Sequence, residues 1–105
     1  MTLETIKEAI EKEDGVLLYF TGPNCNVCHS LKPKIEELFK EEFPKIKRFF
    51  IDVSQNKEIA VNFSVFSVPT ILVFLGGKEF AREGRATSLA ALRDKIKRPY
   101  EIMLS

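Results

Sequence analysis

Apolar residues fall at helical spacing from the start of the chain. Leu3, Ile6 and Ile10 recur among Glu and Lys, which predicts a first helix capped by Thr2 and stopped by Asp14-Gly15. The pattern then changes. Residues 16–20 are an unbroken apolar run, as in a strand buried on both faces of a sheet. Thr21-Gly22-Pro23-Asn24 reads as a turn, with Asn24 placed to cap a second helix. That helix carries Leu31, Ile35, Leu38 and Phe39 on its inner face and runs to about Glu42. Pro33 lies inside it and should kink it, because proline removes a helical donor. Residues 47–53 read as the next strand, 57–63 as a short helix and 71–75 as a second fully apolar strand. Gly76-Gly77 is a two-residue hairpin signal, and residues 78–83 alternate as an antiparallel edge strand does. Gly84 breaks that strand. Thr87 or Ser88 caps a last helix with Leu89, Leu92 and Ile96 on one face, and Pro99 is expected to end it. The order α-β-α-β-α-β-β-α predicts an α/β sandwich with a mixed sheet of about four strands flanked by helices.

Length and charge narrow the picture. A chain of 105 residues is expected to be a single domain, 1–105, with a real hydrophobic core. A net charge of +1, with lysines interspersed among glutamates, argues against a nucleic-acid partner. No apolar run approaches the roughly 18 residues of a membrane span, so no membrane partner is expected. The first residues lack the basic start and apolar stretch of a secretory signal, which points to the cytoplasm.

The chemistry is concentrated in Cys25-Asn26-Val27-Cys28, the only two cysteines in the chain. Residues i and i+3 share a helix face, so the two sulfurs can close a disulfide with little backbone movement. So short a loop gains little stability from its closure, which favours chemistry over stapling. In a reducing compartment such a pair is more often catalytic or metal-binding than structural. Cys25, Cys28 and His29 also offer three potential zinc ligands, and Cys-Asn-Val-Cys-His fits the pattern for covalent haem attachment.

Taken together, a strand, a CxxC at a helix start, Pro33 within that helix, and Val68-Pro69-Thr70 ahead of a Gly-Gly hairpin resemble the thioredoxin family. The resemblance covers nearly the whole chain and extends to Phe20, Asp52 and Gly84. It implies a thioredoxin fold and a thiol–disulfide oxidoreductase that reduces protein disulfides through a Cys25–Cys28 dithiol/disulfide cycle, with no bound cofactor and no metal. It makes Cys25 the attacking thiolate, favoured by the helix N-terminus, and Cys28 the resolver of the mixed disulfide. It also implies that Pro69 is a cis-proline packed against the disulfide. Val68, Pro69 and Asn24 would then form the surface on which an extended substrate segment pairs. Protein disulfides are the expected partners, and a thioredoxin reductase is a candidate electron source. The haem reading needs export and a second axial ligand, for which Met103 is the only late candidate, and it gives Val-Pro-Thr no role. The zinc reading has two of its three ligands adjacent.

Three departures from the family pattern stand out. Tyr19 occupies the place of the usual buried acid, and a tyrosine is a poor base at neutral pH. It is expected to be a core aromatic with its hydroxyl bonded nearby; Arg48 falls near the lysine that partners the acid in the family. The usual Trp-Cys-Gly-Pro-Cys-Lys becomes Asn24 to His29, and the other usual Trp falls on Thr21. His29 lies four residues after Cys25, where an imidazolium would favour the thiolate, so His29 and Tyr19 are the candidates for tuning the thiol pKa. Finally, the family's N-terminal strand has no counterpart, which leaves Phe49, Phe50 and Ile51 on an edge that proteins usually protect. The apolar tail Tyr100, Ile102, Met103 and Leu104 is expected to cover that edge, or a second copy to pair with it, giving a monomer or a weak dimer. Two alternatives stay open. One is a glutaredoxin-like, glutathione-dependent enzyme, although its glycines would lead into a helix. The other is a thioredoxin-like binding module or partner-specific redox adaptor.

Overall fold

The computed structural model describes residues 1–104. Its elements are α1 (Leu3–Lys12), β1 (Gly15–Thr21), α2 (Asn26–Glu42), β2 (Lys47–Asp52), α3 (Lys57–Asn62), β3 (Thr70–Leu75), β4 (Lys78–Glu83) and α4 (Leu89–Met103). The four strands make one sheet in the order β2-β1-β3-β4. β1 runs parallel to β2 and antiparallel to β3, and β3 is antiparallel to β4, so the sheet is mixed as expected.

Alternation along the strands divides the core in two. Leu17, Tyr19, Ile71, Val73 and Leu75 pack with Ile35 and Phe39 of α2 and with Leu92, Ile96 and Tyr100 of α4. On the opposite face Val16, Leu18, Phe20, Ile51, Leu72 and Phe74 pack with Ile6 and Ala9 of α1 and with Ile59 and Ala60 of α3. Both faces of β1 and β3 are therefore covered, which is why these strands read as unbroken apolar runs rather than as alternation.

Thr2 and Ser88 cap α1 and α4, their hydroxyls accepting from the amides of Thr5 and Ala91. Gly76 and Gly77 both have positive φ, 61° and 81°, as a two-residue hairpin turn between right-twisted strands requires. The register of β3 against β4 shifts between Val73, opposite Ala81, and Phe74, opposite Glu79. Phe80 is the extra residue of this bulge. Phe80 and Ala81 consequently both lie against the α2/α4 core.

Two expectations are corrected. Pro99 does not end the last helix, which continues to Met103. The extra turn buries Tyr100 and Leu104 in the core, and the Tyr100 hydroxyl accepts from the Lys45 amide at 3.1 Å. The Lys45 ammonium donates to the Leu104 carbonyl at 2.6 Å. Burying two large side chains outweighs the single backbone bond that the proline forfeits. The tail expected to cover the edge of β2 is helical among the described residues and docks instead at Lys45 and Gly15, ahead of that strand. The phenyl rings of β2 are instead sheltered by lysines: Lys32 stands over Phe50 at 5.2 Å and Lys47 over Phe49 at 5.7 Å.

Candidate active site

β1 ends at Thr21 and β3 begins at Thr70, and their antiparallel pairing puts Phe20 opposite Thr70. The turn after β1 and the loop before β3 therefore meet at one end of the two central strands. Gly22 lies within van der Waals reach of the Val68 side chain, and a Cβ there would stand 3.5 Å from Val68 Cγ2. The Val68–Pro69 peptide bond is cis, and Pro69 is buried.

Cys25 and Cys28 form a disulfide, with their Cα atoms 5.2 Å apart. The two sulfurs are not equivalent. Cys25 lies at the mouth of the site, 7% exposed, whereas Cys28 is fully buried one turn deeper. The N-cap of α2 is Cys25 rather than Asn24, which lies exposed one residue earlier. Cys25 Sγ accepts from the Cys28 amide at 3.1 Å, so the sulfur takes the capping role that an Asn oxygen would have filled. It thus sits where unpaired amides and the helix dipole favour negative charge.

Tyr19 rises from β1 beneath this turn, and its hydroxyl donates to the Cys28 carbonyl at 2.8 Å. Burial pushes its phenol up to about 12. Its ring packs edge-on against Phe50, with centroids 5.9 Å apart. A neutral donor with its bond already made therefore lies beneath the turn, at the position where the resemblance expects an acid. Arg48, also on β2, is half-buried, and its Nη1 has no hydrogen-bond partner among the described residues. His29 is exposed on the outer face of α2. Its imidazole adds a small electrostatic pull on the Asp52 carboxyl, which is held below the usual carboxylate range chiefly by the hydroxyl and amide of Ser54.

A surface that the sequence reading passed over lies beside Val68. An apolar groove of about 410 Å³ runs between α3 and the loops on either side of it, lined by Val53, Ala60, Val61, Val65, Phe66 and Val68 among others. Phe66 forms its rim, 82% exposed, and Val61 is 64% exposed. The one available signal was a phenylalanine set between serines in a short loop, which by itself does not distinguish a buried ring from a displayed one. Among the described residues no helix is long and apolar enough to cross a membrane.

Comparison with known proteins fits this geometry. The thioredoxin family model matches residues 1–98. A thioredoxin-like protein of Bacillus subtilis, YdfQ, is 36% identical over 101 residues, which cover 96% of this chain and 89% of that protein. The thioredoxin of Buchnera aphidicola is 34% identical over 88 residues, 84% of this chain and 82% of its own. Among solved structures, Fasciola hepatica thioredoxin superposes with a TM-score of 0.75 at 31% identity, covering 91% of this chain and 89% of that one. The Gly-Gly turn leads into the strand β4 rather than into a helix, which separates the chain from the glutaredoxin pattern. With its mixed four-stranded sheet and a CxxC disulfide opening α2, the chain belongs to the thioredoxin family of thiol–disulfide oxidoreductases.

Proposed function

We propose that this protein reduces disulfide bonds in other proteins through the Cys25–Cys28 pair. The observation that carries the reading is the inequality of the two sulfurs, one at the mouth of the site on a helix N-terminus and the other fully buried one turn below. In the reduced protein the Cys25 thiolate attacks a client disulfide. A Cys25–client bond forms, and the client's other sulfur leaves as a thiolate that takes up a proton. Cys28 then gives up its proton and attacks Cys25 Sγ, closing the intramolecular disulfide and releasing the second client thiolate. Two electrons pass to the client. Tyr19 holds the carbonyl of that turn as a neutral donor, and the Cys28 proton leaves with the departing thiolate or to water. His29 contributes a nearby positive field when protonated.

Val68, Pro69 and Asn24 border the turn that carries Cys25. An extended client segment pairs with the Val68 backbone there, as in strand addition. The protein works in the reducing cytoplasm, needs no bound cofactor, and is returned to its dithiol form by a reductase or a low-molecular-weight thiol. The test is turnover of insulin disulfides with dithiothreitol as electron source. The reading expects a rate well above the dithiothreitol blank, abolition by Cys25→Ser, and mixed disulfides accumulating with Cys28→Ser. A rate equal to the blank would leave a binding module of thioredoxin fold as the better account.

A further inference from the structure

The loop that carries Val68 is held from β4, the edge strand beyond β3. α3 ends with the Val65 amide bonded to the Ala60 carbonyl at 2.8 Å and the Ser64 amide to the Val61 carbonyl at 3.0 Å. This is a Schellman closure, which places its C′ residue in the left-handed region, normally as glycine. Here that residue is Ser64, at φ 56°. A side chain in this conformation is strained, so the turn needs support from outside itself.

Arg82 of β4 supplies it. Its Nη2 donates to the Phe63 carbonyl at 2.8 Å and its Nη1 to the Ser64 carbonyl at 3.2 Å. Glu79 fixes the other edge of the same guanidinium, accepting from Nε at 3.0 Å and from Nη2 at 2.8 Å. Residues three apart on a regular strand face opposite ways. The bulge at Phe80 cancels that, placing Glu79 opposite Phe74 and Arg82 opposite Leu72, two side chains of the same α1/α3 core. At its other end the loop is closed by Thr70, whose hydroxyl donates to the Ser67 carbonyl at 2.7 Å. Between these two anchors lie Val65, buried in the core, then Phe66 on the groove rim, and Val68 beside Gly22.

We propose that Arg82, oriented by Glu79, is a positioning residue for client binding: by clamping the Phe63 and Ser64 carbonyls it sets the loop on which Val68 and Phe66 meet the client. This rests on the reading that protein disulfides are the substrates and that Val68 receives them. The chemistry at the sulfurs does not depend on the clamp, so its removal should act on KM and spare kcat.

The experiment compares the full-length parent with Arg82→Met, Arg82→Lys and Glu79→Gln in insulin reduction. Each is also assayed against a small aryl disulfide and in redox equilibrium with glutathione. Arg82→Met is expected to raise KM for insulin roughly three- to tenfold, the size of an ordinary net hydrogen bond, because water can reach the two carbonyls it leaves behind. Its kcat, its rate with the small disulfide and its glutathione equilibrium should stay within about twofold of the parent, because none of these uses the loop. Arg82→Lys, which reaches one carbonyl rather than two, should recover part of the rise. Glu79→Gln should move KM the same way by less, and it carries the test if Arg82→Met does not fold. An unchanged KM in an active parent background would overturn the clamp and leave the proposed function standing. Equal losses in all three assays would also overturn it, reducing Arg82 to general stability. A parent that does not reduce insulin would overturn both.

Discussion

At the scale of single residues, Tyr19 ties the floor of the site to the turn above it through one neutral hydrogen bond. Its hydroxyl bond to the Cys28 carbonyl and its full burial make it a structural donor. Tyr19→Phe should destabilise the protein by about 0.5–1.5 kcal/mol in chemical denaturation, the usual net worth of a buried neutral hydrogen bond. A loss above about 3 kcal/mol would mean that the phenol does more than this. The pH dependence has a definite sign. The phenol sits near 10 in the unfolded chain and about 12 in the folded one, so the folded state keeps its proton longer. Stability from this group is full below pH 10 and is lost as pH rises from 10 toward 12. Tyr19→Phe should flatten that alkaline decline, and an identical decline in both proteins would assign it elsewhere. Gly15 makes a different kind of demand. A Cβ there would stand 2.9 Å from Ile46 Cγ1, so Gly15→Ala should cost about 1–3 kcal/mol by overpacking, read as a lower denaturation midpoint. That Tyr19 stands where the resemblance expects an acid was legible in the sequence. That its hydroxyl ends on Cys28 was not, because the partner is a backbone carbonyl and no residue type announces it.

At the scale of elements, the apolar pattern was an accurate guide wherever burial was uniform. β1 and β3 are buried on both faces and stood out as unbroken apolar runs. Element ends were harder to read, because caps and stops are decided by competing partners. Asn24 has the better intrinsic capping propensity, yet the turn places Cys25 Sγ where the cap belongs. Pro99 has the propensity of a stop, yet the burial of Tyr100 and Leu104 carries α4 past it. Leu104→Ala should therefore cost about 2–3 kcal/mol despite its place near the end of the chain, whereas a frayed tail would make it neutral in thermal or chemical unfolding. Ser88→Ala, at the opposite end of the same helix, should cost about 1 kcal/mol through the lost cap to Ala91. The β4 bulge left no mark in the sequence, since residues 78–83 alternate as a regular edge strand would. Only the cross-strand register shows that Glu79 and Arg82 share a face.

At the scale of the whole molecule, β2 and β4 form the two edges of the sheet. The lysines over Phe49 and Phe50 give β2 the charged cover that discourages edge-to-edge pairing. A monomer is expected in sedimentation. Replacing Lys32 and Lys47 together by Ala should produce concentration-dependent association, and a doubly substituted protein that stays monomeric would show that the lysines are not the guard. The disulfide belongs to this scale as well, through how little of the chain it encloses. Closing so short a loop is worth about 2 kcal/mol in the chain-entropy relation, so reduction should lower the urea midpoint by roughly 1 M without abolishing the fold. A gap above about 4 kcal/mol would show that the reduced fold rearranges.

The attacking sulfur is also the atom that caps α2, and this turns a structural detail into a reporter. A thiolate accepts a hydrogen bond more strongly than a disulfide sulfur, and a sulfur joined to a client is pulled outward from the helix. The Cys28 amide proton, which points at Cys25 Sγ, should therefore resonate and exchange with solvent differently in the disulfide, dithiol and client-bound forms. A single nuclear magnetic resonance signal would follow the catalytic cycle from inside the site, with no label attached to either cysteine.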